Sequence, residues 1–282
     1  MGILTDEECL AIDRVIRRTA QAILIGRKIV PKGPTVGFAK EEIKHYRLSE
    51  MSEARLDLSW GNFGSQDLVA LTPILGNVPV LSKAFRINRR TLEAARSEGR
   101  SFDTQCIASA TLRVSQLEDR LLLNGWGKTA GTYDIKGLYQ SAENSEDTDL
   151  DWGTPANIAT SIQKAMALLN EDNIFPPYNL ILNPAQYAET LALVTGTAKT
   201  YRDLARDMIE GEIYQSSVLT AGTGMMVPVN GELYFDYVEG VDLTDETEEM
   251  DLENGHDIFG VVYECLAPRI FDANAICKMT KI

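Results

Sequence analysis

The sequence predicts an α+β protein whose body is built from the two ends of the chain around a central insertion. Three observations carry this prediction. Two segments, near residues 5–26 and 103–125, repeat apolar residues every three or four positions, as amphipathic helices do. The middle, about 138–222, alternates helical and extended patterns and has enough apolar residues for a core of its own. The last third is mostly strand-like. At roughly 150 residues per domain, 282 residues allow one large domain or two ordinary ones.

The first helix opens on a capping box, Thr5 with Glu8, and Cys9, Ile12, Ile16, Ala20 and Ile23 form its apolar stripe. Gly26 is expected to end it, with Arg27 and Lys28 offsetting the negative end of its dipole. Pro31, Gly33, Pro34 and Gly37 then require an extended arm. Residues 39–74 hold too few apolar side chains for a core and read as a projecting hairpin. Within it Arg55–Trp60 alternates like a strand, and Gly61, Asn62 and Gly64 supply a turn. Val78–Ile87 reads as a strand and Thr91–Ser97 as a short helix.

The longest helix follows Asp103 or Thr104 and keeps Ile107, Ala110, Val114, Leu117 and Leu121 on one side until Gly125 closes it. Its roughly 20 residues make a rod about 30 Å long. Beyond it, Thr154-Pro155 starts a helix with Ile158, Ile162, Ala165, Met166 and Leu169 inward. Tyr178–Leu182 is a strand, Asn183-Pro184 opens a helix, and Thr200–Ile209 is another. The expected C-terminal strands are Met225–Val229, Glu232–Val238, Ile258–Leu266 and Ala275–Ile282.

The net charge is −14, from 41 acids and 27 bases, which argues against a basic surface that grips nucleic acid through phosphates. The acidity is concentrated. Residues 143–151 and 242–257 carry 13 acids and no base, and both are expected to be solvent-facing loops. No segment has the ~18 consecutive apolar residues of a membrane span, and the N-terminus lacks a secretory pattern, so a cytoplasmic location is expected. Cys9, Cys106, Cys265 and Cys277 have no metal-type spacing, and the last three sit in apolar patterns that suggest buried thiols.

Candidate chemistry is sparse. His45 and His256 both lie in polar, loop-like surroundings and are expected to be solvated surface residues, so no hydrolase triad is supported. Gly127-Lys128-Thr129 lacks the earlier glycine of a phosphate loop, because Leu122 holds that position inside a helix. Gly222-Thr223-Gly224 reads as a turn before a strand. Asp147, Asp149 and Asp151 alternate like a calcium loop, but Trp152 replaces the turn glycine and Ile158 the bidentate acid, so no metal is expected. No cofactor and no enzymatic activity follow from these residues.

Several strings carry a resemblance. L-T-D-E-E-C-L-A-I-D-R, continuing to G-R-K-I-V at Gly26–Val30 and Gly33-Pro34, resembles the N-terminal helix and arm of encapsulins, the shell proteins of prokaryotic nanocompartments. Leu117, Glu118, Asp119 and Leu123, then Asn124-Gly125 and the later Lys136-Gly137-Leu138, are similar to the end of that family's spine helix and the start of its axial domain. Tyr178–Asn183 and Gly211–Leu219 match in order.

The resemblance implies the tailed-phage major capsid protein fold. Residues 1–38 would be the N-terminal helix and arm, 39–74 the extended loop, 75–137 and 225–282 the peripheral domain with its spine helix, and 138–224 the axial domain. Many copies would self-assemble into an icosahedral compartment enclosing a cargo enzyme. Leu56, Leu58 and Trp60 would lie on the loop between subunits, whose sheet a neighbour completes. Ile16, Ile23, Arg27, Phe235 and Tyr237 would lie near an interior groove for the cargo protein's targeting peptide. Some members bind flavin through an aromatic residue where this chain reads Arg89-Arg90-Thr91, so no flavin is expected. The alternative is a capsid protein of a tailed phage, prophage or archaeal virus enclosing DNA. The helix starting directly at Thr5, with no long scaffolding segment before it, favours the compartment.

Overall fold

The computed structural model describes residues 6–48, 68, 71–98, 104–127, 134–252 and 255–282. Helix α1 (Asp6–Ile23) buries Ile12, Ile16 and Ala20, the stripe read from the spacing. It does not simply end at Gly26. A separate turn of helix, α2 (Gly26–Ile29), follows and turns the chain into strand β1 (Lys32–Thr35). Strands β2 (Glu42–Leu48) and β3 (Leu71–Asn77) form a two-stranded antiparallel ribbon. The Arg55–Trp60 strand expected between them lies outside the described residues, and so do the loop positions Leu56, Leu58 and Trp60.

Strand β4 (Val80–Ile87) leads to α3 (Arg89–Ser97), which Asn88 caps by accepting from the N–H groups of Arg90 and Thr91. The spine is α4 (Gln105–Leu123). Gly125, at φ +87°, ends it where a Cβ would stand 2.3 Å from the Gly137 nitrogen, so the close crossing of β5 (Gly125–Trp126) and β6 (Ile135–Lys136) requires glycine. Then follow α5 (Leu138–Ser141), β7 (Asn144–Glu146), α6 (Ala156–Glu171) and β8 (Tyr178–Leu182). After these come α7 (Pro184–Glu189), α8 (Tyr201–Ile209), β9 (Ile213–Gln215) and β10 (Thr223–Pro228). A 3₁₀ turn at Gly231–Leu233 precedes the long strands β11 (Phe235–Leu252) and β12 (Gly255–Ile270), and β13 (Cys277–Thr280) completes the order.

Two sheets organise these elements. One has the order β1-β11-β12-β4, and α1 and α4 pack on it through Ile12, Ile16, Ile107, Val114, Phe85, Val262 and Leu266. The other has the order β7-β13-β10-β8-β9, with α6, α8 and Trp152 closing its core. Every residue of β8 is buried, because β10 and β9 flank it and helices cover it.

Several expectations are corrected. The division at residue 225 cuts through β10, and both β10 and β13 belong to the second sheet, so the C-terminal segment serves both halves of the molecule. The acidic run 242–257 is no loop: most of it extends β11 and pairs with β12 up to Leu252 opposite Gly255. β-branched Val241, Thr244 and Thr247 favour that strand, and the apolar Ile258–Val262 stretch opposite fixes its register. The strand expected from Glu232 starts at Phe235. His45 is buried rather than solvated, and Cys106 is only partly buried while Cys265 and Cys277 are fully so.

Candidate functional site

The N-terminal arm is fastened to the spine by charge. Asp119 of α4 accepts from the Gly26 N–H at 2.8 Å and the Ile25 N–H at 3.1 Å, capping the start of α2. That cap delivers Arg27 into the body. Its Nε donates to Glu118 Oε1 at 2.5 Å, Nη2 to Glu264 Oε2 at 2.9 Å, and Nη1 to Asp242 Oδ1 at 2.7 Å. One guanidinium thus ties α2 to α4, β11 and β12. It also lies 5.9 Å from the Tyr237 ring centre. The strand register is irregular between Glu239 and Thr244, and this bulged stretch presents Asp242 to Arg27.

Arg27 and Lys28 were expected to offset the dipole of the first helix, but Arg27 is spent on these carboxylates. Burial opposes its charge, and the field and hydrogen bond of Glu118, helped by Asp242 and Glu264, outweigh that and raise its pKa. Glu118 and Glu264 are both 0% exposed. Burial pushes the Glu118 carboxyl up against the pull of Arg27, and burial with the Glu118 charge holds Glu264 well above the ordinary range.

Beside this clamp opens a groove of about 370 Å³, with Arg27 to Pro31 on one wall and Val229, Asn230, Glu232 and Leu233 on the other. Leu233 is 80% exposed. Of the residues the resemblance placed near a groove, Arg27 lines this one and Tyr237 lies buried beneath the guanidinium. Ile16 and Phe235 are buried in the core and offer no surface of their own. The Ile23 side chain lies outside the described residues. Val229 and Leu233 were missed because the segment was read as a strand rather than as the turn between β10 and β11. Glu118 and Glu264 were missed too, yet both carry a signal. Val114, Glu118 and Leu121 share a helix face, and Val262, Glu264 and Leu266 share a strand face, so each acid sits on an apolar pattern's inner side.

The ribbon supplies a second surface. Ile43 and His45 face the body, where His45 meets Phe271 edge-on with ring centres 5.8 Å apart. Burial, then the Arg269 charge, hold His45 below the ordinary histidine pKa. The opposite face pairs Tyr46 with Pro73 and Lys44 with Leu75, and continues to Leu71. It is exposed: Leu75 by 71% and Leu71 by 60%. In the 143–151 segment Glu146 is buried and accepts from Ser161 at 3.1 Å, whereas Asp147, Asp149 and Asp151 face solvent. Among the described residues no group of three His, Cys, Asp or Glu side chains is arranged to hold a metal, and no helix is long and apolar enough to cross a membrane.

Relatives share this architecture. The Linocin_M18 family model, described as an encapsulating protein for peroxidase, matches residues 3–253. The type 1 encapsulin shell protein EncA of Myxococcus xanthus is 23% identical over 232 residues, covering 81% of this chain and 78% of the relative. The type 1 encapsulin shell protein of Brevibacterium linens is 24% identical over 210 residues, covering 74% and 72%. Among solved structures, a virus-like particle from Pyrococcus furiosus superposes with a TM-score of 0.69 at 16% identity, covering 95% of this chain and 97% of that one. The capsid of the myovirus XM1 does so at 0.67 and 12% identity, covering 92% of each chain. The fold is that of tailed-phage capsid subunits, and with the family model matching nearly the whole sequence, this shell-forming chain belongs to the encapsulin family.

Proposed function

We propose that many copies of this chain close into an icosahedral compartment in the cytoplasm around a cargo enzyme, and that a short targeting peptide on the cargo docks in the groove between α2 and the turn at 229–234. The chain's own part is structural, and the chemistry is the cargo's. The family description points to a peroxidase as that cargo. The observation that carries the docking site is the groove itself. Its exposed Leu233 and Val229 offer apolar contact, and Lys28 and Glu232 flank them with charges that fix a peptide's direction.

Shells purified from the native source test the reading. A peroxidase-like protein inside them is the expected content, and packaged DNA would instead make the chain a virion capsid. Leu233→Asp should leave particles intact in electron micrographs while lowering the cargo copy number several-fold. Unchanged loading would move the peptide elsewhere.

A further inference from the structure

The shell reading gives no role to two carboxylates buried side by side. Glu118 and Glu264 each offer one oxygen to Arg27. Their other oxygens, Glu118 Oε2 and Glu264 Oε1, are buried with no donor among the described residues. The two carboxylates are held by neighbouring nitrogens of one guanidinium, Glu118 at Nε and Glu264 at Nη2, which sets them side by side. Two ionised carboxylates so placed would set acceptor against acceptor in a low-dielectric interior, which is strongly unfavourable.

The surrounding charges do not relieve this. From α2, Arg27 is the cation in contact, and Lys28 acts on Asp119. On α4, Asp119 adds a further negative charge and is already occupied by the Ile25 and Gly26 N–H groups. From β11 come Asp242, which takes the remaining arm of Arg27, and Tyr237, with Glu239 beyond it paired to Lys32 of β1 at 2.8 Å. On β12 the neighbour is the buried thiol Cys265. A single guanidinium therefore faces three carboxylates.

We propose that Glu118 and Glu264 hold one proton between them at neutral pH, and that this proton locks the N-terminal arm, through Arg27, onto the spine helix and the β11–β12 pair. A proton on one acid donates to the other, which satisfies both orphaned oxygens and removes one negative charge from the cluster. The upward displacement of both carboxyls by burial agrees with this. The folded chain then binds a proton that free carboxyls, with pKa about 4.3, release. Stability from the lock is complete in acid and is lost as pH rises through the pair's folded value. Arg27 also lines the groove, so alkaline loss of the proton makes that wall more negative and loosens it; this consequence alone rests on the peptide-groove reading.

Acid–base difference infrared spectroscopy of the assembled protein tests the lock. At neutral pH the spectrum should contain the C=O stretch of a protonated carboxyl that fades on raising the pH and is missing in both Glu264→Gln and Glu118→Gln. Thermal melts from neutral to alkaline pH should show a wild-type loss that Glu264→Gln lacks, because the amide supplies the N–H permanently. No such band in the wild type, or an equal alkaline loss in Glu264→Gln, would overturn the proposal. If the variants fail to fold, the wild-type titration decides by itself: no protonated carboxyl band at neutral pH overturns the lock. If the band titrates while peptide binding is indifferent to pH, the coupling of the proton to the groove fails and the shared proton stands.

Discussion

At the scale of single residues, Arg27 has the largest predicted effect. Removing one partner of a buried ion pair leaves the other charge uncompensated and typically costs about 3–5 kcal/mol. In Arg27→Met both Glu118 and Glu264 lose their cation, so the expected cost is about 3 kcal/mol after the acids take up protons to compensate. It would be read as a large fall in melting temperature, and a melt equal to wild type would show that the clamp adds nothing. His45 responds in the opposite pH direction to the carboxyl pair. Its folded pKa is depressed, chiefly by burial, so its contribution is present above about pH 6.5 and is lost as pH falls through the folded value. His45→Gln should flatten the melting temperature between neutral and mildly acidic pH, and a slope identical to wild type would refute the assignment. Both residues show where sequence reading stopped. Alternating helical and strand patterns revealed which face turns inward but not that an acid on that face meets a partner from 91 or 237 residues away, as Arg27 does with Glu118 and Glu264. The polar neighbours of His45 suggested solvent, whereas Phe271, brought in from the other end of the chain, covers it.

At the scale of elements, the helices were legible because their signals are local. The Asn183-Pro184 start of α7 and the Thr200 start of α8 were both read from sequence, and the structure shows why they work. Asn183 accepts from the Ala185 N–H at 2.9 Å and donates to the Leu219 carbonyl at 2.7 Å. It therefore caps a helix and pins the loop that leads into β10. Asn183→Ala should cost about 1–2 kcal/mol, at the upper end for a lost cap because a buried carbonyl also loses its donor. Thermal melting against Thr200→Ala, a lost capping box worth about 1 kcal/mol, checks the ordering. Strand partners were not legible. Nothing near Met225 or Cys277 says that these strands pair with each other beside β8, since pairing is set by contacts far apart in sequence. Nor does an acidic composition forbid a strand. Residues 244–252 extend because the strand opposite, with Ile258–Tyr263 at its apolar centre, supplies the ladder.

At the scale of the whole molecule, the β2–β3 ribbon presents an apolar face to solvent. A two-stranded ribbon is marginal alone. Its inner face, with Ile43 and His45, is satisfied by the body, but its outer face leaves Tyr46, Leu71, Pro73 and Leu75 in water. Exposed aliphatic side chains grouped on one face mark an interaction surface, and a shell-forming chain has copies of itself to cover it. Leu75→Asp separates assembly from folding. The side chain is exposed in the subunit, so its replacement should change subunit stability by no more than about 0.5 kcal/mol. In the shell the same carboxylate would be buried against an apolar neighbour without a partner, at every copy of the contact. The expected outcome is a subunit that melts like wild type but elutes as small oligomers, with few or no particles in electron micrographs. Leu75→Met, which keeps an apolar side chain at the same position, should still assemble. Normal particles from Leu75→Asp would place the intersubunit contact elsewhere on the chain.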